Sequence, residues 1–315
     1  MAALPPTIET HQLARSPGVD FRVLSWNISR SAFADHPEDF RNLLRLTDPD
    51  IVLLDEVGDK YGPADLIQAF RGVRGDDDIV WNVSIGAGGG YQRGLIGIRG
   101  SIEQLEEFRW IDYPESALDE LVAVTPGVDR AQLAESLAEG AAVNGGLVRV
   151  GSKELLVVIV DLWCCGTAER WEERRRVIEA RLIRQAIRAA LARGINPDGI
   201  ILAGDFNLVG GSHAMGILAG PYRDPFGALI PAEAYHIDGS LSWTWDGRGS
   251  EFPSSPLDFA MYSPFSLEVV RALIVDTEDF PDSLLSPFGL SRNVSKEMSD
   301  HRPILVDYRW RAVKP

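Results

Sequence analysis

The chain has 315 residues, 45% hydrophobic and 24% charged, values that let it bury a substantial core and exclude an intrinsically disordered protein. Its formal net charge of −15 argues against non-specific gripping of duplex nucleic acid, which needs a basic face, and favours small substrates. No stretch reaches the roughly 18 apolar residues of a membrane span, and residues 1–11 lack the basic and apolar regions of a secretory leader, so a cytoplasmic protein is expected.

Residues 1–19 contain prolines and no apolar pattern, and are expected to form a loose lead-in. Residues 21–27 (FRVLSWN) predict a short strand, and Phe40, Leu43, Leu44 and Thr47 fall at helical spacing over 36–47. The nearly all-apolar run 50–55 (DIVLLD) predicts a strand buried on both faces. A helix is expected over 63–70, with strands over 79–85, 95–99, 147–150 and 155–162, the last two joined by a Gly151-Ser152-Lys153 turn. Residues 167–193 predict a long helix stopped by Gly194 and Pro197. Further strands are expected over 199–203, 258–262 and 303–308. No linker, composition break or repeat divides the chain, so a single domain over 20–312 is expected, with a helix-like insertion near 112–143 and a long loop at 276–299. The two cysteines, Cys164 and Cys165, are adjacent. A disulfide between strand neighbours would be strained, so free thiols are expected.

Two short segments carry chemistry. Gly204-Asp205-Phe206-Asn207 follows directly on the buried run 199–203, at a strand's carboxyl end, where α/β sheets hold ligands. Asp205 and Asn207 are two apart and face one way on an extended backbone. One can accept a proton or contact a metal, and the other can donate to a phosphoryl oxygen; the alternative is a plain strand-ending Asx turn. Ser299-Asp300-His301 precedes the last strand. His moves protons near neutral pH, although a surface His beside a capping Asp reads the same way.

Trp26-Asn27, Asp55-Glu56, Gly204-Asp205-Phe206-Asn207, Leu257-Asp258-Phe259 and Ser299-Asp300-His301 occur in that order at large spacings. The series spans nearly the whole chain and resembles the endonuclease/exonuclease/phosphatase superfamily, which includes DNase I-like nucleases, inositol phosphatases and bacterial sphingomyelinases. The resemblance implies an α/β (α+β) fold, a four-layer α-β-β-α sandwich. It also implies a Mg²⁺- or Mn²⁺-dependent phosphoesterase of nuclease or phosphatase type, hydrolysing a phosphodiester or phosphomonoester by attack of water at phosphorus. Glu56 would be the principal metal ligand, with Asn27 beside it and Asp300 a further metal-side carboxylate, as suits a hard cation. Asp205 would orient or activate the water, Asn207 would hold a phosphoryl oxygen, His301 would sit against the scissile phosphate, and Asp258 would orient His301. The substrate would be a phosphate ester, either nucleic acid or a small phosphorylated molecule.

The chain departs from that pattern at one strand. Many relatives carry Thr-His-Leu before the long helix; here the strand reads Val160-Asp161-Leu162. A carboxylate beside a phosphate repels it unless a cation intervenes, so Asp161 implies a second metal, a substrate with a positive group or a weakened enzyme, unless it points away from the site. A binding or scaffold protein on the same fold is the alternative function. Arg93, after Gly88-Gly89-Gly90, could reach a phosphate from a flexible loop, or sit at a solvated hairpin tip. Trp243 and Trp245 are expected in the core, the Arg/Glu run 170–184 on a solvated helix face, and His213 at the surface.

Overall fold

The structure, a computed structural model, describes residues 13–73, 80–124 and 127–312. Its strands in chain order are β1 (Phe21–Arg30), β2 (Ile51–Val57), β3 (Asn82–Ile85), β4 (Arg93–Ile98), β5 (Ile102–Gln104), β6 (Val143–Val150), β7 (Lys153–Asp161), β8 (Gly199–Asp205), β9 (Ile230–Pro231), β10 (Asp258–Tyr262), β11 (Leu267–Ile274) and β12 (Ile304–Trp310). They form two six-stranded sheets, ordered β11-β12-β1-β2-β4-β3 and β5-β6-β7-β8-β10-β9. The β1–β2 and β7–β8 pairs are parallel and the remaining pairs are antiparallel.

The apolar runs explain the layering. Alternate residues of the central strands (Val23, Ile51 and Leu53 against Val157, Ile159 and Ile201) meet between the sheets. The residues between them face outward. Leu24, Trp26, Val52 and Leu54 pack on Phe40, Leu43 and Leu44 of the helix Pro37–Thr47. Leu156, Val158, Val160 and Leu202 pack on Ala180, Ile183 and Ile187 of the helix Trp171–Ala192. Each central strand is thus apolar on both faces and reads as a continuous hydrophobic run, with each large side chain contributing about 1.5–3 kcal/mol on burial. Helices cover both outer faces, giving the four-layer α-β-β-α sandwich.

Several expectations need correction. Residues 13–19, expected to be loose, pack on the first sheet: Leu13 is buried, and its carbonyl accepts from the buried Arg22 guanidinium. Residues 1–12 of the expected lead-in lie outside the described residues. Strands β5, β9 and β11 went unpredicted. β11 is an edge strand carrying Glu268 and Arg271 and is mostly half-buried, so no clean alternation marks it. Residues 276–299 are a chain of short helices anchored by buried Leu284, Leu285, Leu290, Val294 and Met298. Residues 112–143, by contrast, are helical as expected: they contain the helices Glu115–Val124 and Arg130–Leu137, which share an apolar cluster with Ile178.

The Arg/Glu run is not a solvated face. Glu173, Arg175, Arg176 and Glu179 are buried and neutralise one another through Arg176–Glu173 and Arg175–Glu179 pairs, both 2.9 Å. Arg175 also lies over the Trp163 ring. One-turn spacing satisfies these charges internally, which lets neighbouring segments cover them.

Candidate active site

The parallel pairs bring four strand ends to one edge of the sandwich. Asn27 lies opposite Asp55 across β1 and β2. Asp161 lies opposite Asp205 across β7 and β8, and Asp258 opposite Asp205 across β8 and β10. Gly204 makes that approach possible. Its φ is +127°, and a Cβ there would collide with the Val160 carbonyl, so only glycine sits there without strain. Glu56 and Asn207 have φ of 52° and 49°, left-handed conformations that bend both residues out of strand geometry at the site.

Hydrogen bonds join these ends into one array. Asn27 Nδ2 donates to Glu56 Oε1 at 3.2 Å and to Asp205 Oδ2 at 3.4 Å. Asp205 Oδ1 accepts from the Asn207 amide at 2.8 Å, and Asn207 Nδ2 donates to the Leu162 carbonyl at 2.8 Å and to Asp161 Oδ1 at 3.4 Å. His301 Nδ1 lies 2.8 Å from Asp258 Oδ2, which leaves Nε2 3.7 Å from Asp205 Oδ2. Asp300 accepts from Ser29 Oγ and from Trp245 Nε1. Glu56, Asp205, Asn207, Trp245, Phe252 and His301 contribute to the lining of a pocket of about 420 Å³.

Charge is concentrated and buried here. Burial would lower the His301 pKa, but the Asp258 and Asp205 carboxylates outweigh it and push it up to about 10. Asp205 is pushed up to about 7 by burial and by Asp258, with His301 partly opposing. Asp55 and Asp161 are held well above the usual carboxylate range, first by burial and then by neighbouring carboxylates. Glu56 is raised by burial, partly offset by the Asn27 hydrogen bond. Among the described residues, neither buried Asp55 oxygen has a hydrogen-bond donor, and Asp258 Oδ1 likewise lacks one. Carboxylate oxygens of this kind suit a hard divalent cation; Glu56, with Asn27 hydrogen-bonded to it and Asp300 near it, could hold one.

A family model described as the Endonuclease/Exonuclease/phosphatase family matches residues 24–301. The chain belongs to that family. Among solved structures, the human Nocturnin catalytic domain with bound sulfate is similar at 16% identity and a TM-score of 0.55, covering 92% of this chain and 93% of that one. D. rerio TDP2 complexed with a single-strand DNA product has the same identity, TM-score and coverage of this chain, with 98% of that chain covered. An endonuclease/exonuclease/phosphatase from Bacteroides vulgatus is similar at 16% identity and a TM-score of 0.55, covering 92% of this chain and 99% of that one. At these identities the likeness shows the DNase I-like sandwich. A comparison with curated proteins gives no match.

Within this family member, Asn27, Glu56, Asp161, Asp205, Asn207, Asp258, Asp300 and His301 all gather at the one edge. Arg93 does not join them: its guanidinium donates to the Gly58 and Tyr61 carbonyls at 2.6 and 2.8 Å. The preceding glycines serve close packing, since a Cβ on Gly89 would meet Ala142. Asp161 faces the site: one of its carboxylate oxygens lies within 4.8 Å of those of Asp55 and Asp205, Asn207 Nδ2 reaches its Oδ1, and Gln92 Nε2 donates to its Oδ2 at 3.0 Å. Trp245, expected in the core, lines the pocket and is half-buried, as is Trp243. His213 is at the surface. Both cysteines are free and line the pocket.

Sequence reasoning left other supporting residues without a role. Ser299 Oγ donates to the Asn27 carbonyl, Trp26 Nε1 donates to the His301 carbonyl, and Thr244 Oγ1 accepts from the Leu257 and Asp258 amides. Arg302, fully buried behind His301, bonds Asp246, Asp276 and the Ser299 carbonyl. Its adjacency to Ser299-Asp300-His301 was the available signal. Gln92 gave none, because it reaches the site from a short turn before β4.

Proposed function

We propose that this protein hydrolyses a phosphodiester or phosphomonoester by attack of water at phosphorus, using Mg²⁺ or Mn²⁺ held by Glu56 and Asn27 with Asp300 beside them. Family membership supports a phosphoesterase-type function. The observation that carries the finer reading is the His301 geometry: with Nδ1 on Asp258, Nε2 is directed toward Asp205, 3.7 Å away, at the pocket. A cation there would stabilise charge on the phosphoryl and leaving oxygens.

The chain's own groups divide the remaining work. Asp205 orients the attacking water and accepts its proton as the oxygen bonds to phosphorus. His301, kept protonated by Asp258, donates through Nε2 to a phosphoryl oxygen whose charge grows in the transition state. Asn207 Nδ2 holds a second phosphoryl oxygen, moving from the Leu162 carbonyl that it meets here. Asp258 fixes the imidazole by accepting from Nδ1. Among the described residues, none lining the pocket is Arg or Lys, and Val209, Phe252 and Leu257 supply an apolar side. That wall supports a small or sparsely charged phosphoester over a long polyanion.

Activity on aryl phosphodiesters, phosphomonoesters and short single-stranded DNA, assayed with Mg²⁺, Mn²⁺ and EDTA, tests the class. Asp205→Asn and His301→Gln should each lower kcat by about 10²–10⁴-fold, and EDTA should abolish turnover. Undiminished turnover in an Asp205→Ala/His301→Ala protein would remove the assignment. Inactivity on every substrate with metal bound would leave the binding-protein reading.

A further inference from the structure

Asp55, Asp161 and Asp205 each present a carboxylate oxygen, and these oxygens lie within 4.8 Å of one another. All three residues are buried, with exposures of 0%, 3% and 2%. Their hydrogen-bond donors are neutral amides: Gln92 and Asn207 on Asp161, and Asn27 and the Asn207 backbone on Asp205. Among the described residues, the charged partner in reach is His301, 3.7 Å from Asp205 and already paired with Asp258. Among the same residues, Asp55 has no donor on either oxygen.

Neutral amides orient carboxylates without cancelling their charge. Three buried acids this close cannot all be ionised unless a positive charge joins them. The geometry is directional as well. Gln92 and Asn207 fix the two Asp161 oxygens, the Asn207 backbone fixes one Asp205 oxygen, and Asp55 keeps both lone-pair sets available toward the other two. Oxygen-only ligands at this separation select a hard divalent cation over a soft one. Glu56 belongs to a different arrangement: its left-handed φ, at the bulge where β2 leaves its register with β1 and β4, turns it to Asn27.

We propose that Asp55, Asp161 and Asp205 form a second divalent-cation site, separate from the one assigned to Glu56, Asn27 and Asp300. A cation held there lies against Asp205 and so against the water-activating position. The inference stands on the cluster's own geometry and shares only Asp205 with the proposed hydrolysis.

Mn²⁺ titration of the full chain, with free Mn²⁺ followed by electron paramagnetic resonance, tests it, paired with melting temperatures in EDTA and in Mn²⁺. The wild type should bind about two Mn²⁺ per chain with oxygen ligands. Asp55→Asn and Asp161→Asn should each lose one equivalent, and Glu56→Gln should lose the other. Burial and the neighbouring acids hold Asp55 and Asp161 well above the usual carboxylate range, so without metal each Asp→Asn change replaces a protonated carboxyl by a near-isostere; both variants should melt close to wild type in EDTA and gain less from Mn²⁺. A merely disruptive substitution would lower the melting temperature in EDTA. Stoichiometry and Mn²⁺-induced melting shift unchanged in both variants would overturn the proposal. Loss confined to Asp55→Asn and Asp161→Asn would keep it and remove the Glu56 assignment; loss confined to Glu56→Gln would do the reverse.

Discussion

His301 shows how one residue's chemistry is set by what surrounds it. A buried imidazole ordinarily loses its proton, yet Asp258 on Nδ1 and Asp205 beyond Nε2 push its pKa up to about 10. Asp205 is pushed up as well, by burial and then by Asp258, to about 7. If Asp205 must be ionised and His301 protonated, kcat/KM rises as pH climbs through the Asp205 pKa and falls as it passes that of His301. A cation near Asp205 would favour its charged form and move the acidic limb below 7. Asp258→Asn removes the carboxylate that supports the imidazolium, so the alkaline limb should move to lower pH. A kcat/KM profile with both limbs unmoved in that variant would show that His301 is not the group titrating.

At the scale of elements, the site depends on how closely β7 and β8 approach. Gly204 lies against the Val160 carbonyl at a φ of +127°, which brings Asp205 level with Asp161. Gly204→Ala adds a Cβ where there is no room, in a conformation that L side chains rarely adopt. It should cost about 2–5 kcal/mol of stability from backbone strain and overpacking. Chemical denaturation would measure this, and a loss under ~0.5 kcal/mol, ordinary for a surface position, would contradict the close-packing argument. The helix Trp171–Ala192 carries the opposite lesson. Its charges read as solvated from sequence, but Arg175, Arg176, Glu173 and Glu179 pair within the helix and are covered. Glu179 then accepts from the Trp163 amide, so the buried pairs help to hold the segment that leads into the Cys164–Cys165 wall of the pocket.

Across the whole molecule, the first sheet is closed by the two ends of the chain. β1 pairs with β12, and Arg22 reaches Asp307 through two hydrogen bonds of 2.6 and 3.0 Å while its other nitrogen holds the Leu13 and Thr47 carbonyls. Both side chains are 1% exposed. Arg22→Met would take from the buried Asp307 two of its hydrogen bonds and leave the Arg271 contact. The expected cost is about 3–5 kcal/mol, read by urea denaturation and partly recovered by an Arg22→Met/Asp307→Leu double variant. A single variant as stable as wild type would show that the pair contributes nothing to closure. The acidic whole, at −15, is consistent with a pocket lined by no Arg or Lys.

The sequence alone, through its apolar runs and its family resemblance, pointed to the layered architecture and to most of the residues that gather at one edge of it. Central strands buried on both faces must be continuous apolar runs, and polar residues breaking those runs at strand ends mark where ligands sit. Asp205, Asn207 and His301 stood out in the sequence itself, while Asn27, Glu56, Asp258 and Asp300 were expected from the family resemblance. Tertiary structure decided what depends on distance between segments far apart in the chain. It directed Arg93 to backbone carbonyls, turned Trp245 onto Asp300, brought Gln92 to Asp161 and placed Asp55 without a donor beside two other acids. Side-chain direction at a bulge or turn, and the charge that buried groups experience from other strands, are properties of packing that no local pattern encodes.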